Sequence, residues 1–276
     1  MTAAAAPDTA SRWIRILVLS AALALTALAW AYVYWLAQQM AAPQSAMMPD
    51  MPDMPGMSMS DADLMAASFT PWTFTRFFLT FIMWLVMMVG MMTPSVTPMV
   101  LIYARVARPG QPRGRLLAPA AWFTCGYFVA WSLFSLSAAL AQWALEALAL
   151  STPMMVATSR RFGGAVLIAT GIYQWLPGKE ACLSYCRAPL AFLQRHGGIR
   201  PGAGASLRLG MLHGGYCIGC CWALMLVLFV VGVMNLLWIA ALMLVVLLEK
   251  VLPAGRAFSR LLGCAAVAAG LWMLAH

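Results

Sequence analysis

Apolar residues run along this chain in blocks long enough to cross a hydrocarbon core, which takes roughly 20 helical residues. The blocks lie at about 13–36, 77–103, 117–143, 162–178, 207–231, 234–252 and 257–275, the one at 162–178 being the shortest. The pattern predicts an all-α fold: a polytopic membrane protein with about seven transmembrane helices. The first block exceeds the apolar core of a signal peptide, about 7 to 15 residues, and reads as an anchor helix within residues 1–37, with cleavage near Ala41 or Ala42 left open. Residues 38–73 form a polar interval, and residues 74–276 a six-helix membrane core.

Composition agrees, since 63% of the residues are hydrophobic, 9% are charged and the mean hydropathy is +0.84. An ordinary soluble domain carries roughly 25% charged residues. Basic residues remain on the cytoplasmic side of a membrane protein, so their distribution sets the orientation. With the N-terminus cytoplasmic, only Arg76, Arg160 and Arg161 fall outside and the other basic side chains fall inside. The expected location is the bacterial inner membrane, multi-pass, with residues 38–73 extracytoplasmic. The net charge of +9 then reflects topology and contact with the lipid bilayer, and gives no reason to invoke nucleic acid.

The outer interval contains MMPDMPDMPGMSM, in which Met48, Met51, Met54 and Met57 recur every third residue and Met59 follows. Pro43, Pro49, Pro52 and Pro55 disfavour a helix here, and the composition favours a disordered chain. Thioether sulfur is a soft neutral donor suited to Cu(I). It needs no deprotonation, so it works where thiols would be oxidised. Methionine also fills apolar gaps, but a Pro- and Asp-rich loop has no core to fill.

Three further sulfur clusters follow. In the second block Met83, Met87 and Met91 step by four, as do Met88 and Met92, forming two adjacent helical stripes that serve equally as packing or as ligands. Thr93-Pro94 and Thr97-Pro98 then interrupt the hydrogen-bond ladder. In MLHGGYCIGCCWALM, His213, Cys217, Cys221 and Met225 follow at four-residue steps with Cys220 beside them. Intramembrane ionisable groups are functional candidates by default. Gly210, Gly214, Gly215 and Gly219 also suit close helix packing, here toward the Met-bearing helix. Met91 and Cys217 lie roughly 18 Å and 15 Å from the inner ends of their blocks at 1.5 Å per residue, so a shared midplane site is feasible. Cys182 and Cys186, four apart beside Lys179 and Glu180, are expected at the cytoplasmic surface. Cys125 and Cys264 are assigned to packing, His196 and His276 stand without companions, and Glu249-Lys250 reads as an anchoring charge pair.

The blocks MWLVMMVGMMTPSVTP, YQWLPGKEACLSYCRAP, HGGYCIGCCWALMLVLFVVGVMN and LLEKVLPAGR together resemble a bacterial family of predicted metal-binding integral membrane proteins with no established activity, over roughly residues 75–260. The resemblance implies an all-helical inner-membrane fold and a metal site to which Met87, Met88, Met91, Met92, Cys182, Cys186, Cys217, Cys220 and Cys221 belong. The outer loop resembles Met-rich segments of bacterial copper-resistance proteins and eukaryotic copper transporters. The expected function is Cu(I) capture by the loop followed by movement or delivery through the Met, Cys and His ligands. A copper chaperone or a copper enzyme is the expected protein partner. No nucleotide motif is found and no catalytic residue is assigned. A thiol-disulfide electron carrier and an assembly factor donating copper to a membrane enzyme remain open alternatives.

Overall fold

The computed structural model describes residues 9–46, 72–107, 117–148 and 159–276. The loop candidates Met48, Met51, Met54, Met57 and Met59 lie outside the described residues. The described residues form helices without strands: α1 (Thr9–Ala46), α2 (Phe74–Val106), α3 (Ala118–Ala147), α4 (Arg160–Tyr173), α5 (Pro177–Arg187), α6 (Pro189–Arg195), α7 (Ala203–Leu226), α8 (Leu228–Val231), α9 (Leu236–Val251) and α10 (Gly255–Ala275). Helix α1 continues to Ala46, beyond residue 37 where the polar interval was expected to begin.

Among the described residues, five stretches are long and apolar enough to cross a membrane: Arg12–Gln39, Phe74–Val106, Ala118–Ala147, Ala203–Val231 and Gly255–Ala275. The expectation of about seven is therefore met for five. The remaining two segments are helical but short, with 14 residues in α4 and 16 in α9. At 1.5 Å per residue they reach roughly 21 Å and 24 Å, against a hydrocarbon core of about 30 Å. Helix α4 stops at a turn through Gln174 and Leu176, and Pro177 opens α5 in a new direction. Gly232, at φ 99, breaks the chain between α8 and α9, a conformation that glycine adopts without a Cβ penalty.

Helix starts are encoded locally where a polar side chain precedes them. The Thr73 hydroxyl accepts from the Arg76 amide at 3.2 Å, and the Asn235 side chain accepts from the Trp238 amide at 3.4 Å, each satisfying one orphan donor of its helix. Pro94 and Pro98 lie inside α2, which remains one continuous helix.

Helices α2, α3 and α7 surround the core, where Trp84, Tyr103, Phe123, Tyr127 and Trp131 are fully buried with the methionines of α2. The closest helix approach is between α3 and α7. A Cβ at Gly210 would collide with the carbonyl of Phe123, and one at Gly126 with the carbonyl of Leu207. The glycine face of α7 thus admits α3 rather than the Met-bearing α2, correcting the expected pairing. Helix α1 packs on α2, α5 on α7, and α4 on α10.

These contacts make two alanine substitutions on one helix unequal. Gly210→Ala forces a side chain into backbone, and is expected to destabilise by about 1–3 kcal/mol or more. Gly215→Ala meets nothing within 4 Å and should stay within about 0.5 kcal/mol of wild type. Thermal unfolding of the two variants in one detergent tests this difference.

Candidate metal centre

The candidate ligands of α7, His213, Cys217, Cys220, Cys221 and Met225, are all buried. The Cys220 and Cys221 thiols each donate to the Cys217 carbonyl at 3.0 Å, the back-bonding that a short polar side chain makes one turn along a helix. Cys217 Sγ faces away from its own helix. Tyr127 Oη of α3 lies 3.0 Å from it, and Lys250 Nζ of α9 donates to it at 2.9 Å. The same ammonium donates to Ser95 Oγ of α2 at 3.0 Å, and Ser95 Oγ lies 3.9 Å from Met92 Sδ. A continuous polar chain therefore runs from the thiols of α7 to the thioether stripe of α2.

Helix α5 adds two thiols to this face. The Cys186 thiol reaches those of Cys217 and Cys220, while Cys182 Sγ occupies the space left by the missing Cβ of Gly219. The structure thus brings Cys182 and Cys186 to the α7 cluster instead of leaving them at a separate surface station. The cause is the shortness of α4, which lets α5 fold back alongside α7. Burial and the neighbouring Cys220 push the Cys182 thiol up. Hydrogen bonds with Cys217 and Cys220, together with burial, push the Cys186 thiol up further.

Polar contacts hold α5 there. The Lys179 ammonium pairs with Glu249 at 2.6 Å with both side chains buried, and also donates to Gln174. Ser259 donates to the same Glu249 oxygen at 2.8 Å. Arg187 donates to the carbonyls of Leu252 and Pro253, and Glu180 pairs with Arg256. Glu249 and Lys250 are consequently no interfacial anchor pair. One side chain holds α5 and the other holds Cys217.

Both sulfur stripes of α2 are buried: Met83, Met87 and Met91, with Met88 and Met92. Toward the end where residues 38–73 rejoin the bundle, Trp84 Nε1 donates to Gln142, Gln142 to Glu146, and Trp72 and Arg76 both reach Glu146, at 2.9 Å and 2.8 Å. His213 sits among Phe123, Tyr127 and Phe192, and its Nδ1 is buried with no hydrogen-bond partner among the described residues. His196 does have companions, stacking on Phe192 and meeting Tyr216 Oη at 3.4 Å. Cys125 and Cys264 are exposed rather than packed. A cavity of about 340 Å³ between α1, α2 and α3 is apolar, and Cys125 is the one sulfur residue on its wall.

Among the described residues, no three His, Cys, Asp or Glu side chains are arranged to hold a metal ion. The donors are gathered but engaged with one another, with backbone carbonyl and with Lys250. A family model described as a copper chaperone, PpoB2, matches residues 81–273. The chain belongs to the PpoB2 copper-chaperone family. The match covers the methionines of α2, the thiols of α5 and α7, and Lys250, but not α1 or the Met-rich segment. No curated protein and no solved structure matches the chain.

Sequence reasoning missed Lys250, Ser95, Tyr127 and the Glu146–Gln142 relay as parts of these networks. The available signal was a basic residue ending an apolar block, which inside a membrane calls for a named partner.

The buried Lys179–Glu249 pair gives a direct test of how α5 is held. Glu249→Gln leaves the Lys179 charge uncompensated, and breaking a buried pair in this way costs about 3–5 kcal/mol. Lower thermal stability is expected, with faster alkylation of Cys186 as α5 loosens; unchanged values for both would remove the pair from this role.

Proposed function

We propose that the chain is a Cu(I)-carrying protein of the bacterial inner membrane. It collects copper at the extracytoplasmic Met-rich segment, holds it among buried thioethers and thiols, and delivers it to a protein partner. The observation that carries this reading is the convergence of α5 and α7 thiols beside the thioether stripe of α2, joined through Ser95 and Lys250, in a member of a copper-chaperone family. Soft sulfur donors favour Cu(I) over the hard cations and the oxygen-seeking ions. The intramembrane ligand set is Cys217, Cys220, Cys221 and Cys186, with Cys182, His213, Met92 and Met225 around it. Met83, Met87, Met88 and Met91 line the approach from the Met-rich segment.

Delivery suits this arrangement better than thiol-disulfide electron transfer, which needs an accessible attacking thiolate. The three α7 cysteines are buried. The role requires no catalytic residue, and copper is its cargo.

The test is anaerobic loading of the detergent-solubilised protein with Cu(I), followed by copper stoichiometry and X-ray absorption. Sulfur-dominated coordination is expected. The Cys217→Ser/Cys221→Ser variant should lose the intramembrane copper, whereas unchanged stoichiometry would overturn the site. Copper uptake into sealed vesicles, compared with transfer to an acceptor protein, separates transport from delivery.

A pH dependence follows from the thiols of α5. Their raised pKa keeps them protonated at neutral pH, so metal binding through them must release protons. Apparent Cu(I) affinity should therefore rise with pH from about 6 to about 8, and the slope should become shallower, though not flat, in Cys182→Ser/Cys186→Ser, because the α7 thiols remain. Thioether ligands carry no proton, so deleting residues 47–59 should leave both the slope and the fold unchanged while weakening copper capture at low concentration. A slope as steep in the thiol double variant as in the wild type would remove the α5 thiols from copper binding.

A further inference from the structure

The chain contains two lysines, Lys179 and Lys250, and they have different partners. Among the described residues each side-chain carboxylate already pairs with another cation: Glu146 with Arg76, Glu180 with Arg256 and Glu249 with Lys179. Lys250 instead directs its ammonium at the Cys217 sulfur, 2.9 Å away, and the Ser95 hydroxyl, 3.0 Å away. A positive charge in apolar surroundings is costly unless paired and hydrogen-bonded. Here its partner is the sulfur assigned above to copper.

The position of the ammonium matters as much as its charge. Lys250 Nζ lies between α7 and α2, with Cys217 on one side and, through Ser95, the thioether of Met92 on the other. An ion bridging the sulfur of these two helices would occupy that space. Cu(I) and an ammonium carry the same unit charge, and they compete for the same side of the Cys217 sulfur.

We infer that Lys250 is a tethered stand-in cation, occupying the copper position in the empty protein and swinging out when Cu(I) binds. This deepens the copper reading and rests on it. The exchange swaps one unit positive charge for another at the Cys217 sulfur, and any other thiol that takes part in holding copper gives its proton to solvent. The exchange also runs backwards: as copper passes to an acceptor, the ammonium returns on its flexible stem and refills the vacated contact. A chaperone must release its cargo as well as bind it, and a tethered competitor provides for release.

The two lysines make the test specific. Wild-type protein in detergent, kept anaerobic, is acetylated with an N-hydroxysuccinimide ester of acetate with and without bound Cu(I), and each lysine is quantified by peptide mass spectrometry. Ag(I) serves as a redox-inert repeat. Loading should raise Lys250 acetylation several-fold and leave Lys179 unchanged, while Cys217→Ser should make Lys250 reactive before any metal is added. Bound copper with unchanged Lys250 acetylation would overturn this inference and leave the copper reading intact. Failure of the wild-type protein to bind copper would overturn the copper reading, and the inference with it. Lys250→Met, which removes the tethered competitor, should slow copper transfer to an acceptor several-fold; transfer as fast as in the wild type would overturn the role in release.

Discussion

The carboxylate of Glu249 meets the ammonium of Lys179 at 2.6 Å inside the bundle, and the position of the thiol-bearing helix depends on that pair. Helix α5 is only 11 residues long, too short to fix itself on the bundle through an extensive apolar face. Its placement comes instead from polar contacts at its two ends: Lys179 to Glu249 near the start, Arg187 to the carbonyls of Leu252 and Pro253 at the finish. A buried ion pair contributes little net stability, because desolvation of both charges offsets their attraction. It does impose geometry, since any register that separates the charges leaves each one buried and uncompensated. Fixed register is what a cluster drawn from two helices requires, because a one-residue turn of α5 would rotate Cys186 away from Cys217.

Glu249 and Lys250 are adjacent on α9, and successive residues of an α-helix project about 100° apart. Side chains so placed must face different neighbours. Glu249 turns toward α5 and α10, reaching Lys179 and Ser259, while Lys250 turns toward α7 and α2. The last turn of α9 therefore holds both halves of the thiol cluster. Any movement of Lys250 that shifts this turn also acts on the contact holding Cys186 in place, so the Lys250–Cys217 contact and the packing of α5 are mechanically linked.

The all-helical class and the sulfur faces were legible because both rest on local periodicity, apolar runs for the helices and steps of three or four for the Met and Cys stripes. The copper chemistry was legible from donor softness, and the family match agrees with it. What local pattern does not encode is which face meets which. Five of the seven expected spans are long helices among the described residues; for the other two, a hydropathy run does not reveal that α4 ends before Pro177 or that α9 begins only after Gly232. Cys182 and Cys186 read as surface thiols because their own sequence is polar, with Lys179 and Glu180 nearby. The partners of those charges, Glu249 and Arg256, are about 70 residues away in the chain, beyond any window of periodicity. Lys250 was misread for the same reason: its sequence neighbour Glu249 offered an obvious partner, whereas its spatial neighbours come from α2 and α7.

Methionine and cysteine differ in the chemistry they offer a soft metal. Thioethers bind it without a proton balance and without forming disulfides. Thiols bind more tightly once deprotonated, but in the open they would oxidise. Here the three α7 cysteines are buried, with Cys217 against Tyr127, where oxidants and exchange partners have little access. The same enclosure acts on the ammonium of Lys250: a cation in apolar surroundings must meet polar groups, and it finds them in the Cys217 sulfur and the Ser95 hydroxyl. Burial of the thiols and the direction taken by this internal cation thus belong to one arrangement.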